Sequence, residues 1–291
     1  MSATIKNIAD LNRIKNNYND KLNKYKFQVL VCSGGGCVSS NCSLVKDAII
    51  DEINKNKLQD EVTVFETGCM GTCAVGPVML ILPDKTFYTE LTPETARYII
   101  KSHLIKGIIP EQYTFYDKSL LKHVPNIDDI DFFKNQVKIA LRNCGTMDYQ
   151  SLDAYIARDG YFAAQKAISS DRMKIIQEVK KSGLKGRGGA GFPTGIKWEA
   201  GYNAKSDLKY IVCNADEGDP GAFMDRSIIE GDPHTLIEGM TIGGYAIGAS
   251  VGYVYVRAEY PIAIERLKSS IQEARKRGLL GCKIFGSDFD F

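Results

Sequence analysis

The chain has 291 residues, of which 44% are hydrophobic and 25% charged, and its net charge at pH 7 is +2. Its charge balance gives no basis for nucleic-acid binding. The first ten residues lack the apolar core of an export signal, and the one uncharged run of membrane-spanning length, residues 239–256, contains five glycines. We expect this run to form a core helix followed by a strand. These features argue against secreted, nucleic-acid-binding and membrane-spanning proteins and predict a cytoplasmic one.

The first 26 residues are rich in Asn and Lys and place Ile5, Ile8, Leu11 and Ile14 three residues apart. This spacing puts the four apolar side chains on one face of a helix. We therefore expect an amphipathic helical arm over residues 1–26, used for packing or for a partner.

Residues 27–110 have the pattern of an α/β module. Apolar runs at 27–31 and 62–65 predict two strands, and a helical pattern over 44–53 predicts the helix that joins them. A strand–helix–strand unit makes its two strands parallel neighbours. Further strands at 78–81 and 86–88 and a helix at 93–104 complete the predicted order β-α-β-β-β-α.

Four of the eight cysteines follow the two parallel strands. Cys32 and Cys37 lie in the first glycine-bearing loop, and Cys69 and Cys73 lie in the second. Because both loops leave the same sheet edge, the four thiolates should converge, as for zinc or an iron–sulfur cluster. Structural zinc usually uses C-x2-C pairs, so the looser spacings here favour a two-iron cluster. Cys42 could compete as a ligand, although a capping-region role is the preferred interpretation.

The run from Gly183 to Trp198 contains six glycines before Lys197. Accessible backbone N–H groups beside a lysine can bind a phosphate group through hydrogen bonds. The run includes a G-x-G-x-x-G pattern, but a predicted helix capped by Gly183, not a strand, precedes it. We expect a nucleotide site that is not of the Rossmann type, with a flexible glycine loop as the alternative.

A predicted strand at 209–213 leads into a turn that contains Asn214, Asp216, Glu217 and Asp219. Ligands of open α/β sheets bind at the carboxyl ends of strands. An amide can pair with a heterocycle edge, and carboxylates can accept from sugar hydroxyls. The alternative is a solvated acidic turn.

Three sequences carry a family resemblance: the run at 186–198, Cys-Asn-Ala-Asp-Glu at 213–217, and Gly-Tyr-Val-Tyr-Val-Arg-Ala-Glu-Tyr at 252–260. They resemble the flavin-bearing NADH dehydrogenase subunit of respiratory complex I and its relatives in NAD(P)-linked iron hydrogenases and formate dehydrogenases. The resemblance implies contacts to FMN, to the nicotinamide dinucleotide and to phosphate. The implied residues are Gly186, Gly188, Lys197, Asn214, Asp216 and Glu217 for FMN, Phe192 and Asp219 for NAD(P)H, and Arg187 for phosphate.

The cysteine spacing and element order of residues 27–110 resemble the thioredoxin-like [2Fe-2S] ferredoxin domain, which implies a [2Fe-2S] cluster on Cys32, Cys37, Cys69 and Cys73. The expected fold class is α/β: a thioredoxin-like ferredoxin domain followed by the first part of a complex I-type FMN-binding domain. The expected boundaries are a helical arm at 1–26, the ferredoxin domain at 27–110, a connector with helices at 111–160, and the FMN/NAD(H)-binding part at 161–291. Helical patterns over 132–141 and 152–168 predict two helices that lead into the last part.

The resemblance implies an electron-input subunit that accepts hydride from NAD(P)H onto FMN and passes electrons to iron–sulfur clusters, or the reverse. Its implied partners are iron–sulfur subunits of a hydrogenase, formate dehydrogenase or NADH dehydrogenase complex. The sequence stops before the family's second flavin motif and its [4Fe-4S] segment, so we expect a truncated or split subunit, with a [4Fe-4S] cluster only in the missing part. A non-enzymatic [2Fe-2S] carrier or docking module and a zinc-stabilised interaction protein are the alternatives.

Overall fold

The structure, a computed structural model, describes residues 4–291, and the chain divides into two compact units. The first, here called the cysteine unit, comprises Asn17–Ala154 and Glu230–Asp232. The second, the glycine-loop unit, comprises the described residues up to Asn16 together with Tyr155–Ile229 and Pro233–Phe291. No helix within residues 4–291 is both long enough and apolar enough to span a bilayer.

Helices and strands follow one another through both units. The α-helices are α1 (Ile8–Leu22), α2 (Gly35–Ser39), α3 (Cys42–Lys55), α4 (Pro93–Ile99), α5 (Asp131–Lys134), α6 (Leu152–Ala157), α7 (Phe162–Ile168), α8 (Arg172–Ser182), α9 (Thr194–Asn203), α10 (Met224–Gly231), α11 (Pro233–Ile247) and α12 (Pro261–Lys276). The strands are β1 (Phe27–Cys32), β2 (Val62–Thr67), β3 (Met79–Leu82), β4 (Thr86–Tyr88), β5 (Phe115–Asp117), β6 (Lys122–Val124), β7 (Tyr210–Ala215) and β8 (Val251–Val256).

The cysteine unit is built on a four-stranded sheet in the order β2-β1-β3-β4. Strands β1 and β2 are parallel and in register from the Phe27–Val62 pair to the Cys32–Thr67 pair. Strand β3 runs antiparallel to β1 and to β4. Val29, Leu30 and Val31 of the central strand β1 are buried, because β1 has neighbours on both edges and a core on both faces. The predicted element order is confirmed, including helix α3 between the parallel strands.

The region after β4 differs from the prediction in two places. The predicted connector contains a hairpin, β5–β6, and isolated bridges join its flanks to β4 at Thr86–Asn126 and Tyr88–Thr114. The helix predicted over 132–141 is wrong beyond Lys134, where α5 ends. The apolar residues that suggested it, Val137 and Ile139, are 90% and 77% exposed. Without a surface to pack against, that stretch gains too little to stay helical.

In the glycine-loop unit, strands β7 and β8 are parallel, with Tyr210 opposite Val251 and Ala215 opposite Val256. Helix α11 lies between them in the chain and is buried along most of its length. The strand predicted at 209–213 and the helix–strand unit predicted within 239–256 are therefore confirmed. The predicted N-terminal helix is present as α1, but the predicted apolar face is only partly buried: Leu11 is buried, Ile8 is exposed, and the buried Ile5 precedes the helix. Residues 1–3 of the predicted arm lie outside the described residues.

The helix predicted over 152–168 is instead two helices, α6 and α7, because a buried carboxylate from α11 begins the second one. Glu238 accepts hydrogen bonds from the backbone N–H groups of Tyr161 and Ala164 at 2.8 and 3.0 Å. It also accepts from the Tyr155 hydroxyl at 2.5 Å. Gly160 packs so closely against the Tyr155 ring that a Cβ on Gly160 would lie 2.1 Å from a ring carbon.

Candidate functional site

The two cysteine loops of the cysteine unit begin at adjacent positions of the sheet, since Cys32 and Thr67 are the last register pair of β1 and β2. Glycines let the loops touch. A Cβ on Gly34 would lie 2.6 Å from the Cβ of Cys69, and a Cβ on Gly36 would lie 2.9 Å from the Cβ of Cys73. Any larger residue at either position would force the loops apart.

All four predicted thiols come together at this edge. The Sγ atoms of Cys69 and Cys73 are 3.9 Å apart. Cys32 and Cys37 are buried, Cys69 is half-buried and Cys73 is exposed. The hydrogen bond to Cys37 raises the pKa of Cys32 to about 11 and lowers the pKa of Cys37. The hydrogen bond to Cys32 raises the pKa of Cys69, and burial raises that of Cys73.

The donor set is sulfur-rich, with one backbone donor in place. The Gly71 N–H lies 3.3 Å from the Cys69 Sγ and donates to it. No group of three or more His, Cys, Asp or Glu side chains in the described part of the chain is arranged around a single metal ion. Cys42 is the first residue of α3 and lies in the hydrophobic core. This agrees with its preferred interpretation as a residue of the capping region.

The glycine loop of the other unit has a closed base and an open tip. At the base, the Gly186 N–H donates to the Phe192 carbonyl and the Thr194 N–H donates to the Leu184 carbonyl, both at 2.9 Å. At the tip, Gly189 and Gly191 have φ angles of 100° and 61°, which favour glycine. The loop leads directly into helix α9, whose first turn holds Lys197.

A cleft of about 300 Å³ lies over this loop. It is lined by Gly186, Gly188, Ala190, Gly191, Phe192, Thr194 and Lys197. A Cβ added to Gly188, Gly189 or Gly191 would meet nothing within 4 Å, so the main chain is open to a ligand. Within residues 4–291, Lys197 has no carboxylate within ion-pair distance.

Helix α8 holds the loop from behind. It is capped by Asp171, which accepts from the Lys174 N–H at 3.1 Å, and ends at Gly183 in the left-handed conformation, as predicted. Gly195 packs on α8 so closely that a Cβ would lie 2.4 Å from the Cγ of Lys180. Lys180 in turn pairs with both carboxylate oxygens of Glu199 at 2.9 Å. Helices α8 and α9 thereby fix the two ends of the loop.

The acidic turn after β7 is ordered by its own hydrogen bonds. The Asn214 side-chain oxygen accepts from the Asp216 N–H at 3.1 Å, and Asp216 and Asp219 are exposed. Glu217 is buried, and its carboxylate accepts from the N–H groups of Asp225 and Arg226 at 3.1 and 3.3 Å at the start of α10. Burial, with a smaller contribution from Glu217, raises the pKa of Asp225.

The structure thus gathers some of the predicted nucleotide residues and not others. Those that line the cleft are Gly186, Gly188, Phe192 and Lys197. Those outside its lining are Arg187, Asn214, Asp216, Glu217 and Asp219. Trp198 and Tyr202 pack against the apolar cluster around Ile176 and Ala246. They are therefore core residues.

Sequence patterns did not indicate one set of residues, which lies behind the second cysteine loop. Cys144 is buried beside Gly68, and burial raises the pKa of its thiol to about 12. Asn143 and Asp232, also buried, are hydrogen-bonded to each other at 2.7 Å. These residues are far from the cysteine loops in the sequence, so no local pattern could have indicated them.

Two protein families match the two halves of the chain. Residues 13–103 match the thioredoxin-like [2Fe-2S] ferredoxin family, and residues 179–288 match the Nuo51 FMN-binding domain. A solved thioredoxin-like [2Fe-2S] ferredoxin from Aquifex aeolicus is 25% identical, with a TM-score of 0.30, and the match covers 32% of this chain and 99% of that one.

Curated relatives match about half of the chain. The NADP-reducing hydrogenase subunit HndC of Solidesulfovibrio fructosivorans is 60% identical over 158 residues, which is 54% of this chain and 32% of the relative. A subunit of the NADH-quinone oxidoreductase of Rhizobium meliloti is 50% identical over 154 residues, 53% of this chain and 37% of the relative. The matched part thus spans about a third of the length of these relatives. Residues 13–103 are thus similar to the thioredoxin-like [2Fe-2S] ferredoxin family, and residues 179–288 to the Nuo51 FMN-binding domain.

Proposed function

We propose that this chain is an electron-input part of an NAD(P)H-linked oxidoreductase, with a [2Fe-2S] cluster in the cysteine unit and FMN in the glycine-loop unit. The observation that carries the proposal is the convergence of four thiols at one sheet edge, in a chain whose other unit presents an open glycine loop beside a lysine. FMN, when bound, supplies the conversion between two-electron hydride transfer and one-electron steps.

The residues of the cysteine unit fit a cluster. A [2Fe-2S] cluster takes four thiolates, two on each iron, and the structure supplies Cys32, Cys37, Cys69 and Cys73 at one edge of the sheet. The glycines at Gly34 and Gly36 let the two loops approach each other, which brings the thiols of Cys69 and Cys73 close to the first loop. The exposed thiol of Cys73 marks the side from which electrons would leave or enter.

The residues of the glycine-loop unit fit the phosphate end of FMN. Backbone N–H groups near Gly188 are accessible, the positive end of the α9 dipole adjoins them, and Lys197 adds a full charge. We assign Gly186, Gly188 and Lys197 to the phosphate. Asn214, Asp216 and Glu217 are proposed to hold the rest of FMN; Phe192 and Asp219 are proposed for NAD(P)H, and Arg187 for added positive charge.

The buried Glu217 has a second task in this scheme. Its carboxylate already accepts two backbone hydrogen bonds from α10, and its carbonyl accepts from the Arg257 guanidinium at 2.7 Å. We propose that Glu217 fixes the shape of the turn, so that Asn214 and Asp216 meet the flavin in one conformation. A residue with fewer fixed contacts would leave the turn mobile.

Partners and location follow from the same proposal. The relatives are named as subunits of a hydrogenase and of NADH-quinone oxidoreductases. We propose that this chain likewise joins further iron–sulfur subunits of a hydrogenase, formate dehydrogenase or NADH dehydrogenase complex. Within residues 4–291 no two of the eight cysteines are joined by a disulfide. This is what a reducing cytoplasm maintains, and we propose that location.

Anaerobic purification followed by metal analysis and FMN titration tests the function. We expect iron without zinc, a visible spectrum that bleaches on reduction, and saturable quenching of added FMN fluorescence. Iron with no FMN binding would support the [2Fe-2S] carrier instead. A colourless protein that contains zinc would contradict both and would favour the interaction protein.

A further inference from the structure

Two segments that are distant in sequence pack behind the loop that carries Cys69. They are residues 143–148 and Glu230–Asp232, and both belong to the cysteine unit. Neither lies within residues 13–103, the part that matches the ferredoxin family. The cysteine loop of this chain is therefore supported by residues outside the part that matches the ferredoxin family.

The closest contact joins Gly68, Cys144 and Gly231. A Cβ on Gly68 would lie 2.5 Å from the Cα of Gly231 and 2.8 Å from the Sγ of Cys144. A Cβ on Gly231 would lie 2.4 Å from the same sulfur and 3.1 Å from the Cα of Gly68. The three residues are packed so tightly that no methyl group fits between them.

Polar contacts fix the same two segments in place. The Gly145 N–H donates to the Thr67 hydroxyl at 2.9 Å, and Thr67 also bridges Asp148 through the backbone. Asn143 donates to the Asp232 carboxylate at 2.7 Å. These hydrogen bonds are shielded from water, since Thr67, Asn143 and Asp232 are at most 2% exposed. Breaking one of them would leave a buried polar group unsatisfied and lower the stability.

The residue on the other side of Cys69 is held as well. Met70 is 2% exposed, and a Cβ on Gly145 would lie 3.2 Å from its Cγ. Cys69 therefore stands between two residues, Gly68 and Met70, that are both pressed against residues 144–145. The backbone that carries Cys69 is thus held on both sides.

We propose that residues 143–148 and 230–232 form a clamp that positions Cys69 and excludes water from behind the cluster. The inference rests on the proposed function, because it assumes a [2Fe-2S] cluster on this loop. Partners outside the ligand set orient metal ligands, and hydrogen bonding and exposure set cluster potentials. Cluster retention and potential in this chain thus depend on residues outside its ferredoxin domain, and Cys144 and Gly231 are positioning residues.

Gly231→Ala in the full chain tests the clamp, with Gly239→Ala as the matched control, since a Cβ on the exposed Gly239 meets nothing within 4 Å. We expect Gly231→Ala to lose visible absorbance to an iron chelator about 10-fold faster than wild type. Its midpoint potential should rise, because water that reaches the cluster stabilises the added negative charge of the reduced form. Gly239→Ala should match wild type in both measurements.

A double variant distinguishes loss of the clamp contact from a general loss of stability. Cys144→Ala removes the sulfur closest to the new methyl group, so Gly231→Ala with Cys144→Ala should lose its cluster more slowly than Gly231→Ala alone, but faster than wild type because Cys144 is itself part of the clamp. Asn143→Ala, which removes a donor and adds no atom, provides the test if Gly231→Ala does not fold. It should also speed cluster loss and raise the potential.

The outcomes distinguish the two proposals. A wild-type chain without iron would overturn the proposed function and the clamp with it. A wild-type chain with its cluster, together with Gly231→Ala and Asn143→Ala variants whose loss rates and potentials equal those of Gly239→Ala, would overturn the clamp alone.

Discussion

The two cysteine loops press on each other so closely that a methyl group at Gly34 would come within 2.6 Å of Cys69, whereas a methyl group at Gly188 of the glycine loop would meet nothing within 4 Å. The first site is set by strand ends, by buried side chains and by the clamp. The second is anchored only at its base and by α8. A tightly held site suits a cluster that must not rearrange, and an open loop suits a ligand that itself completes the packing.

The largest effect should come from the cysteine unit. Cys69→Ser replaces a thiolate with a poorer ligand for iron, so we expect nearly complete loss of cluster colour and of bound iron. FMN binding by the other unit should be unchanged. Cys282→Ser, at an exposed thiol of the glycine-loop unit, is the control and should retain the full spectrum. A full cluster spectrum in Cys69→Ser would refute the ligand set.

Acid should weaken the glycine-loop unit through His234. Burial lowers the pKa of His234 to about 4, against 6.5 in the unfolded chain, so unfolding takes up a proton at pH values between these. The resulting stabilisation is complete above pH 6.5 and is lost as the pH falls to 4, by about 3 kcal/mol in all. The ring faces Tyr161, whose hydroxyl lies 3.0 Å from Nδ1, and stacks on Tyr155.

Denaturant unfolding at pH 7.5 and pH 5, followed by tryptophan fluorescence, measures this effect selectively, because Trp198 is the single tryptophan and lies in the glycine-loop unit. His234→Gln removes the titrating group and should show a smaller loss of stability between the two pH values. Equal losses in wild type and variant would contradict the assignment to His234.

Removal of the lysine beside the glycine loop should weaken FMN binding. Lys197→Met deletes a charge-assisted hydrogen bond, so we expect a loss of about 1.5–3 kcal/mol in FMN affinity by fluorescence titration. The cluster spectrum should not change. Lys181→Met, on exposed α8 surface outside the cleft, is the control. Equal affinities in the two variants would remove Lys197 from the phosphate site.

The smallest effect concerns the support of the loop. Gly195→Ala puts a methyl group 2.4 Å from Lys180 and should push α9 away from α8, at a cost of about 1–3 kcal/mol in stability. Gly239 is exposed and lies in the middle of helix α11. Gly239→Ala should instead raise the free energy of unfolding by about 0.5–1 kcal/mol. Chemical denaturation of both variants gives the comparison. If Gly195→Ala left the free energy of unfolding unchanged, α9 could move away from α8 without loss of stability.

The position of the two cysteine loops at one sheet edge could be predicted because the information is local. Apolar runs mark strands β1 and β2, and each strand ends at its cysteine loop. Because the two strands are parallel neighbours, their loops leave the same edge of the sheet. The glycine loop was also placed correctly between a helix capped by Gly183 and a following helix. In both cases short-range patterns determine where the residues lie.

The remaining features depend on partners far away in the chain. The break between α6 and α7 is made by Glu238, more than seventy residues downstream of the N–H groups that it accepts from. In the clamp, Gly231 packs against Gly68. Glu217 accepts a hydrogen bond from the first turn of α10 as well as lying in its own turn. Periodicity cannot indicate such contacts, because each member looks ordinary in its own neighbourhood.

The most direct test of the proposed function is low-temperature EPR spectroscopy of the chemically reduced wild-type chain, purified anaerobically and combined with an iron count on the same sample. We predict two irons per chain and a spin-one-half signal from one reduced [2Fe-2S] cluster. An iron-free, EPR-silent protein that contains zinc would contradict the proposal.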